Sequence, residues 1–356
     1  MAFQMNDMTK PVKDRLGFDP ASVKKLTFGE LVKKIGPGII LTGIVIGPGN
    51  ITTSAMMGAN YGYKMLWLLI PIILMGITFT LSSYRISIMT GLPIPHAIRH
   101  YYGGIASGFC GVALFLSCFF FTLGNITGTG AGMNLIFGFD WRIGSLIMLA
   151  ILAFCYLTKG VYSKVEKGIM ICICGMIIAF FATLIATGGP NWGQVGHGLT
   201  HPTLPEGSLA TALAYISTNA AVTAGIYGTY LGLEKKWNKQ DLFNGTMVAD
   251  AITHIVTVVL ISGSIVLVGA IVLHPDGIAI KAPTQLIFIA NVATSIATPV
   301  AGLFMVLMLW KKELFMGTKA PRVLQVSMTI CYIFALYMTV TALKTQIPNL
   351  IHSFMG

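Results

Sequence analysis

Residues 44–53 read "IVIGPGNITT", with Gly47-Pro48-Gly49-Asn50 in the middle of an apolar run that extends over 37–60. A run of that length is enough to cross a bilayer, which takes about 20 residues. Proline lacks the amide that a helix ladder needs, and glycine holds the ladder poorly. In hydrocarbon a freed backbone group has no water to pair with, so irregular backbone persists only against protein or a polar cavity. The break therefore marks either a close-packing kink or a site.

The 356 residues are 55% hydrophobic and only 10% charged, with a mean hydropathy of +0.78. Nine candidate spans follow, at roughly 37–60, 64–88, 104–137, 142–158, 166–188, 208–232, 246–272, 284–309 and 323–343. Continuous runs of this kind exclude a β-barrel, whose strands alternate, and predict an all-α polytopic membrane protein. With the N-terminus cytoplasmic, only Lys64, Arg142, Lys281 and Lys344 of the 23 basic residues fall outside, as the positive-inside rule requires. The net charge of +11 then reads as attraction to an anionic inner leaflet, not to nucleic acid. A multi-pass plasma-membrane protein is expected, with the bilayer as its first partner. Residues 1–35 lack an apolar core and read as a cytoplasmic tail, not a signal peptide.

Span 6, "SLATALAYISTNAAVTAGIYGTYLGL" (208–233), repeats the anomaly of span 1. It carries Ser217, Thr218, Asn219, Thr223, Gly225 and Gly228 where a lipid-facing helix carries Leu or Ile. Two interrupted helices five spans apart point to an inverted-repeat transporter with its substrate between the two breaks. The bland reading is that both breaks serve packing, since Gly43 and Gly47 form a GxxxG. Their matching positions favour a site. The expected organisation is the tail at 1–35, a first repeat at 36–188, an extracytoplasmic loop at 189–207, an incomplete second repeat at 208–309, and a final span with the C-terminal end at 310–356.

These residues resemble the Nramp (natural resistance-associated macrophage protein) family of divalent-metal transporters. The similarity runs through "GPGIILTGIVIGPGNITTSAMMGANYGYKMLW" (36–67), "ISIMTGLPIPHAIRHYYG" (86–103), "GNITGTGAGMNLIFG" (124–138), "YGTYLGLEKKW" (227–237) and "PTQLIFIANVATSIATPVAGLFMVLMLWKKELFMG" (283–317). The resemblance implies a five-plus-five, LeuT-like inverted-repeat fold and a divalent cation as cargo. It implies neither an enzyme nor a resident cofactor.

Several of the family's ligands are changed here. Its first-span aspartate falls on Gly47, while its asparagine is kept as Asn50. The sixth-span methionine aligns at or beside Val222, the histidine beyond it becomes Ala224, and a later one becomes Thr229. The acidic pair of span 3 aligns with Thr122 and Asn125, and the tenth-span glutamine with Asn291. What remains is a neutral, oxygen-rich set. Asn50 and Asn291 offer side-chain oxygens, Thr53 and Thr223 auxiliary ones, and Gly47 and Asn219 main-chain carbonyls. Oxygen ligands suit hard cations such as Mg²⁺ and Mn²⁺. The pattern is similar to the Nramp-related magnesium transporters in losing the methionine and the proton-pathway residues. Unlike them, the chain also lacks the aspartate. "GAIVLHPDGIAIKA" (269–282) leads straight into the tenth-span resemblance, so the family's spans 8 and 9 are expected to be absent.

The expected function is a secondary carrier of divalent cations without proton coupling. The alternatives are a carrier of a small neutral or anionic organic solute, or a degenerate membrane partner that transports nothing. Asp250 and His254, four apart in span 7, read either as a relay or metal clip or, preferably, as structural groups. His197 and His201, in an outer loop without helical patterning, are expected to be ordinary solvated histidines. All six cysteines read as small core residues.

Overall fold

The computed structural model describes residues 16–34, 37–158, 162–234, 236–275, 292, 294–315 and 320–355. No strand occurs among them. After a short helix at Phe28–Lys34, span 1 is split into α1 (Pro37–Val45) and α2 (Pro48–Tyr61). Then come α3 (Leu69–Thr90), α4 (Ile94–Phe137), α5 (Trp141–Leu157), α6 (Tyr162–Ala186) and α7 (Trp192–Thr200). Span 6 is split into α8 (Leu209–Asn219) and α9 (Val222–Glu234), and α10 (Thr246–Val268), α11 (Ala297–Trp310) and α12 (Arg322–Met355) complete the chain.

Six helical segments are long and apolar enough to cross a membrane by length and composition, and two shorter apolar ones cover Trp141–Leu157 and Thr294–Trp310. The described parts of the nine intervals are helical apart from the two breaks and the end residues Lys64, Met65, Thr158, Thr187, Gly188 and Ser208. Residues 284–291 and 293 of the eighth interval lie outside the described residues, as does the start of the tail. The long α4 is bent at Gly103, whose φ of 89° is open to glycine. The bend separates the amphipathic stretch after span 2 from span 3 proper.

Burial places span 6 at the centre. Of its most apolar window 83% is buried, against 11% for Lys167–Ala186 in α6. Leu146, Phe154, Ile171, Ile178 and Ile185 stay largely exposed on α5 and α6. Apolar surface on that scale belongs against lipid. Cys172 and Cys174 lie on this exposed helix and are not core residues, whereas Cys110 and Cys331 are buried. The core expectation fails for them because a peripheral span has almost no inward face.

Segments assigned to the same side of the membrane meet. Lys34 Nζ lies 2.9 Å from Asp241 Oδ1, and Leu26 donates to the Asn244 carbonyl at 3.1 Å. On the other side Trp67 Nε1 donates to the Thr203 carbonyl at 2.9 Å. The loop 189–207 is not simply a loop. Asn191 caps α7 through Gln194 N at 3.2 Å, and His197 and His201 stack on its exposed face with ring centroids 4.0 Å apart.

Candidate functional site

The two breaks have local causes. In span 1 the helix closes with Ile46 N on the Thr42 carbonyl at 2.8 Å, and Gly47 turns extended at φ −100°, ψ 177°. Pro48 then opens α2 at the first helical position, where a missing amide costs nothing. In span 6, Ala220 leaves the helix at φ −130°, ψ 42° after donating to the Ile216 carbonyl at 2.8 Å. Helix ends leave carbonyls at the C-terminus and amides at the N-terminus without intrahelical partners. The ends of α1 and α8 thus bring carbonyls to the centre of the molecule, and α2 brings amides.

One pair joins the breaks. Asn50 Nδ2 donates to Asn219 Oδ1 at 2.9 Å, with both residues fully buried. Asn219 Nδ2 in turn donates to the Tyr215 carbonyl at 2.8 Å, and Ser54 Oγ donates to Asn50 Oδ1 at 3.3 Å. An unmatched buried amide costs roughly 1–3 kcal/mol, so the pair fixes the two half-helices against each other. Thr53 Oγ1 donates to the Gly49 carbonyl at 2.9 Å, one turn back in α2.

Gly47 is held from outside its own helix. A Cβ there would collide with Asn125 Oδ1 and lie 2.9 Å from Asn125 Cγ. Asn125 Oδ1 also accepts from Gly49 N at 3.3 Å. The amide on α4 thus occupies the space of a side chain at position 47 and caps the start of α2. Gly47 and Asn125 belong to one packing arrangement, in which the amide fills the space beside the glycine. Gly43, one turn earlier, meets the Ile169 side chain, so close packing and the site share this break.

A cavity of about 20 Å³ lies beside the breaks, walled by Ile44 and Val45, Ser117 and Phe121, and Thr218 and Thr223. A space of that size admits one water or one small ion. A larger cavity of about 390 Å³ adjoins it between α1, α4 and α5 and is lined by Thr122, Asn125 and Tyr227. Neither cavity has an acidic or basic side chain among its lining residues. A third, of about 660 Å³, opens near Tyr63, Lys64, His197 and His274.

Of the expected site residues, Asn50 and Asn219 come together, Gly47 lies against Asn125, and Thr223 lines the small cavity. The Gly47 carbonyl accepts from Ile51 N at 3.1 Å. Val222 is turned away: it is fully buried in the main apolar cluster, and Ala221 lines the cavity in its stead. Asn291 lies outside the described residues. Asp250 is committed elsewhere, accepting from Tyr84 Oη and Gly38 N, both at 2.9 Å. His254 Nδ1 sits 3.1 Å from Thr42 Oγ1. The two residues therefore pin α1 to α3 and α10. No group of three or more His, Cys, Asp or Glu placed to hold a metal ion occurs among the described residues. Ser117 and Cys118 were missed. Their signal is the spacing 117, 118, 121, 122, 125 along one face of α4. Cys118 Sγ touches Tyr227 Oη, and Ser117 Oγ donates to the Thr294 carbonyl at 2.7 Å.

A family model described as Natural resistance-associated macrophage protein-like (Nramp) matches residues 38–282, more than half of the chain. A protein of Agrobacterium fabrum named divalent metal cation transporter MntH is 29% identical over 170 residues, 48% of this chain and 37% of its own length. One of the same name from Brucella suis is 28% identical over 177 residues, 49% of this chain and 39% of its own. The chain thus spans under two fifths of these curated relatives in the matched region. The fold is similar to crystal structures of an Eremococcus coleocola manganese transporter. One, in complex with an aromatic bis-isothiourea substituted compound, aligns at a TM-score of 0.57 and 16% identity, covering 92% of this chain and 76% of that one. A mutant of that transporter aligns at 0.54 and 16% identity, covering 93% and 76%.

Proposed function

The chain belongs to the Nramp family, and on that premise we propose that it carries a divalent cation of the Mn²⁺ or Mg²⁺ kind across the plasma membrane by alternating access. The N-terminus is cytoplasmic in this reading, in keeping with the distribution of basic residues. The observation that carries it is the buried Asn50–Asn219 pair, which ties the two helix breaks together beside a cavity sized for one ion. The two half-helix C-termini direct negative dipole ends at that space. Asn50 and Asn219 exchange their mutual hydrogen bond for the cation, Thr223 adds a hydroxyl oxygen, and Gly47 and Asn291 complete the proposed ligand set. With Thr122 and Asn125 in place of acids, the carrier moves its cargo without protons. A neutral cage offsets ion dehydration weakly, so the ion keeps part of its water shell.

A solute reading has one observation in its favour: the cavities carry no charge, and the α2 amides face the break as they would face a carboxylate. A 20 Å³ space in this conformation favours the ion.

Purified protein in liposomes, with a pH dye inside, tests the proposal. Mn²⁺ or Mg²⁺ uptake without internal acidification is expected, reduced at least about tenfold by Asn50→Ala, a loss of about 1.4 kcal/mol. Uptake unchanged in that variant sinks the ligand set, and acidification sinks the uncoupled mechanism. Thermal stabilisation by amino acids but by neither ion selects the solute carrier. No flux and no stabilisation by either class leaves a membrane partner.

A further inference from the structure

On the lipid-facing side, between α3, α10 and α12, lies an open groove of about 350 Å³. Its walls are apolar, with Leu74, Leu81, Met247, Val323 and Leu324 prominent, and it holds one cation, Arg85. Leu74, Val248 and Val323 are 58%, 46% and 78% exposed, so the groove opens to its surroundings rather than into the bundle. Arg85 Nε is buried without a hydrogen-bond partner. Its guanidinium makes no ion pair among the described residues and rests near two rings, 5.8 Å from the Phe243 centroid and 5.9 Å from that of Phe315. Ser82 Oγ, one turn back on α3, and Thr246 Oγ1, next to Met247, are likewise buried and unpartnered. The exposed Arg322 starts α12 beside the groove residues Pro321 and Val323.

Ionisable side chains in a membrane are costly unless something pairs with them, and they mark function by default. Ring faces offset part of that cost but supply neither a hydrogen-bond acceptor nor a formal charge. A guanidinium presents a donor fork that fits a phosphate. Apolar walls continuous with the bilayer exclude a soluble anion as the natural occupant. We propose that this groove binds an anionic phospholipid, with its phosphate on Arg85 and an acyl chain along Leu74, Leu81 and Val323. The orientation proposed above makes it a lipid of the inner leaflet, where anionic headgroups concentrate. Only this leaflet assignment rests on that reading; the site itself stands whether or not the chain carries metal.

Native mass spectrometry of the full chain in detergent, titrated with phosphatidylglycerol or phosphatidylcholine of matched acyl chains, tests the site. At least a fivefold preference for phosphatidylglycerol is expected, lost in Arg85→Met and kept in Arg322→Met. Ser327→Trp, which fills the groove wall while leaving the cation, is expected to weaken both lipids, and it serves if Arg85→Met is not monodisperse. A preference that survives both Arg85→Met and Ser327→Trp overturns the proposal and assigns the effect to loop lysines. Displacement of the lipid by inorganic phosphate alone also overturns it, since the acyl contact would then contribute nothing.

Discussion

A carboxylate at position 47 needs room that Asn125 already fills. Gly47→Asp alone is therefore expected to lower stability and leave metal affinity little changed, because a new Cβ is driven into the amide. Gly47→Asp with Asn125→Ala removes the obstacle and restores a formal charge beside Asn50. At least a tenfold gain in Mn²⁺ affinity over the parent chain is expected by calorimetry, about 1.4 kcal/mol. Equal affinity in the two variants would show that Asn125 does not control the position. Asn50 and Asn219 are legible in the sequence because two amides amid apolar residues have few reasons to be there. The reach of Asn125 is not legible, since it depends on how closely α4 passes the break. Ala221 sits in the break between α8 and α9 and Val222 opens α9, a difference of direction that hydropathy cannot resolve.

Helices α2 and α10 cross with almost no space between backbones. A Cβ on Gly58 would strike the Val266 carbonyl oxygen and lie 2.8 Å from Ala270 N, neither of which is the tip of a flexible side chain. Gly58→Val is expected to cost at least about 3 kcal/mol, the upper end for overpacking, as the half-helix is pushed off its support. Gly111→Val, on a stretch of α4 with nothing within 4 Å, provides the control and should leave the melting temperature unchanged. Equal melting temperatures for the two variants in detergent would refute the close crossing. Both split helices were readable from Pro48 with its flanking glycines and from the polar run Ser217–Asn219. Helix α7 was not. Its Gly-rich stretch looks like coil, yet Val195 is buried, Gly198 lies against the Tyr63 backbone, and the Asn191 cap starts the turn. Tertiary contact here outweighs a weak local preference.

At the scale of the whole molecule, burial divides the bundle into a deeply packed span 6 and a nearly bare α6. Hydropathy locates both spans and also separates them, since the exposed α6 is much the more apolar and the buried span 6 the less. Polar content distinguishes them. The segments brought together at each end follow the charge-based topology, which is legible because lysines cannot cross the bilayer cheaply. The neutral lining of the two central cavities has an electrical consequence. A carrier whose binding space has no formal charge returns empty without moving charge through the field. A divalent cargo brings two charges, each worth about 2.3 kcal/mol per 100 mV, so a full crossing is worth about 4.6 kcal/mol at that voltage. For the proposed cation carrier, voltage then acts on the loaded step alone. Currents recorded from protein on a supported membrane should be absent without metal and appear with it. A transient charge movement in metal-free solution would contradict this. In the proposed carrier, an uncharged binding space thus turns the membrane potential into a pull on the cargo, with no brake on the returning protein.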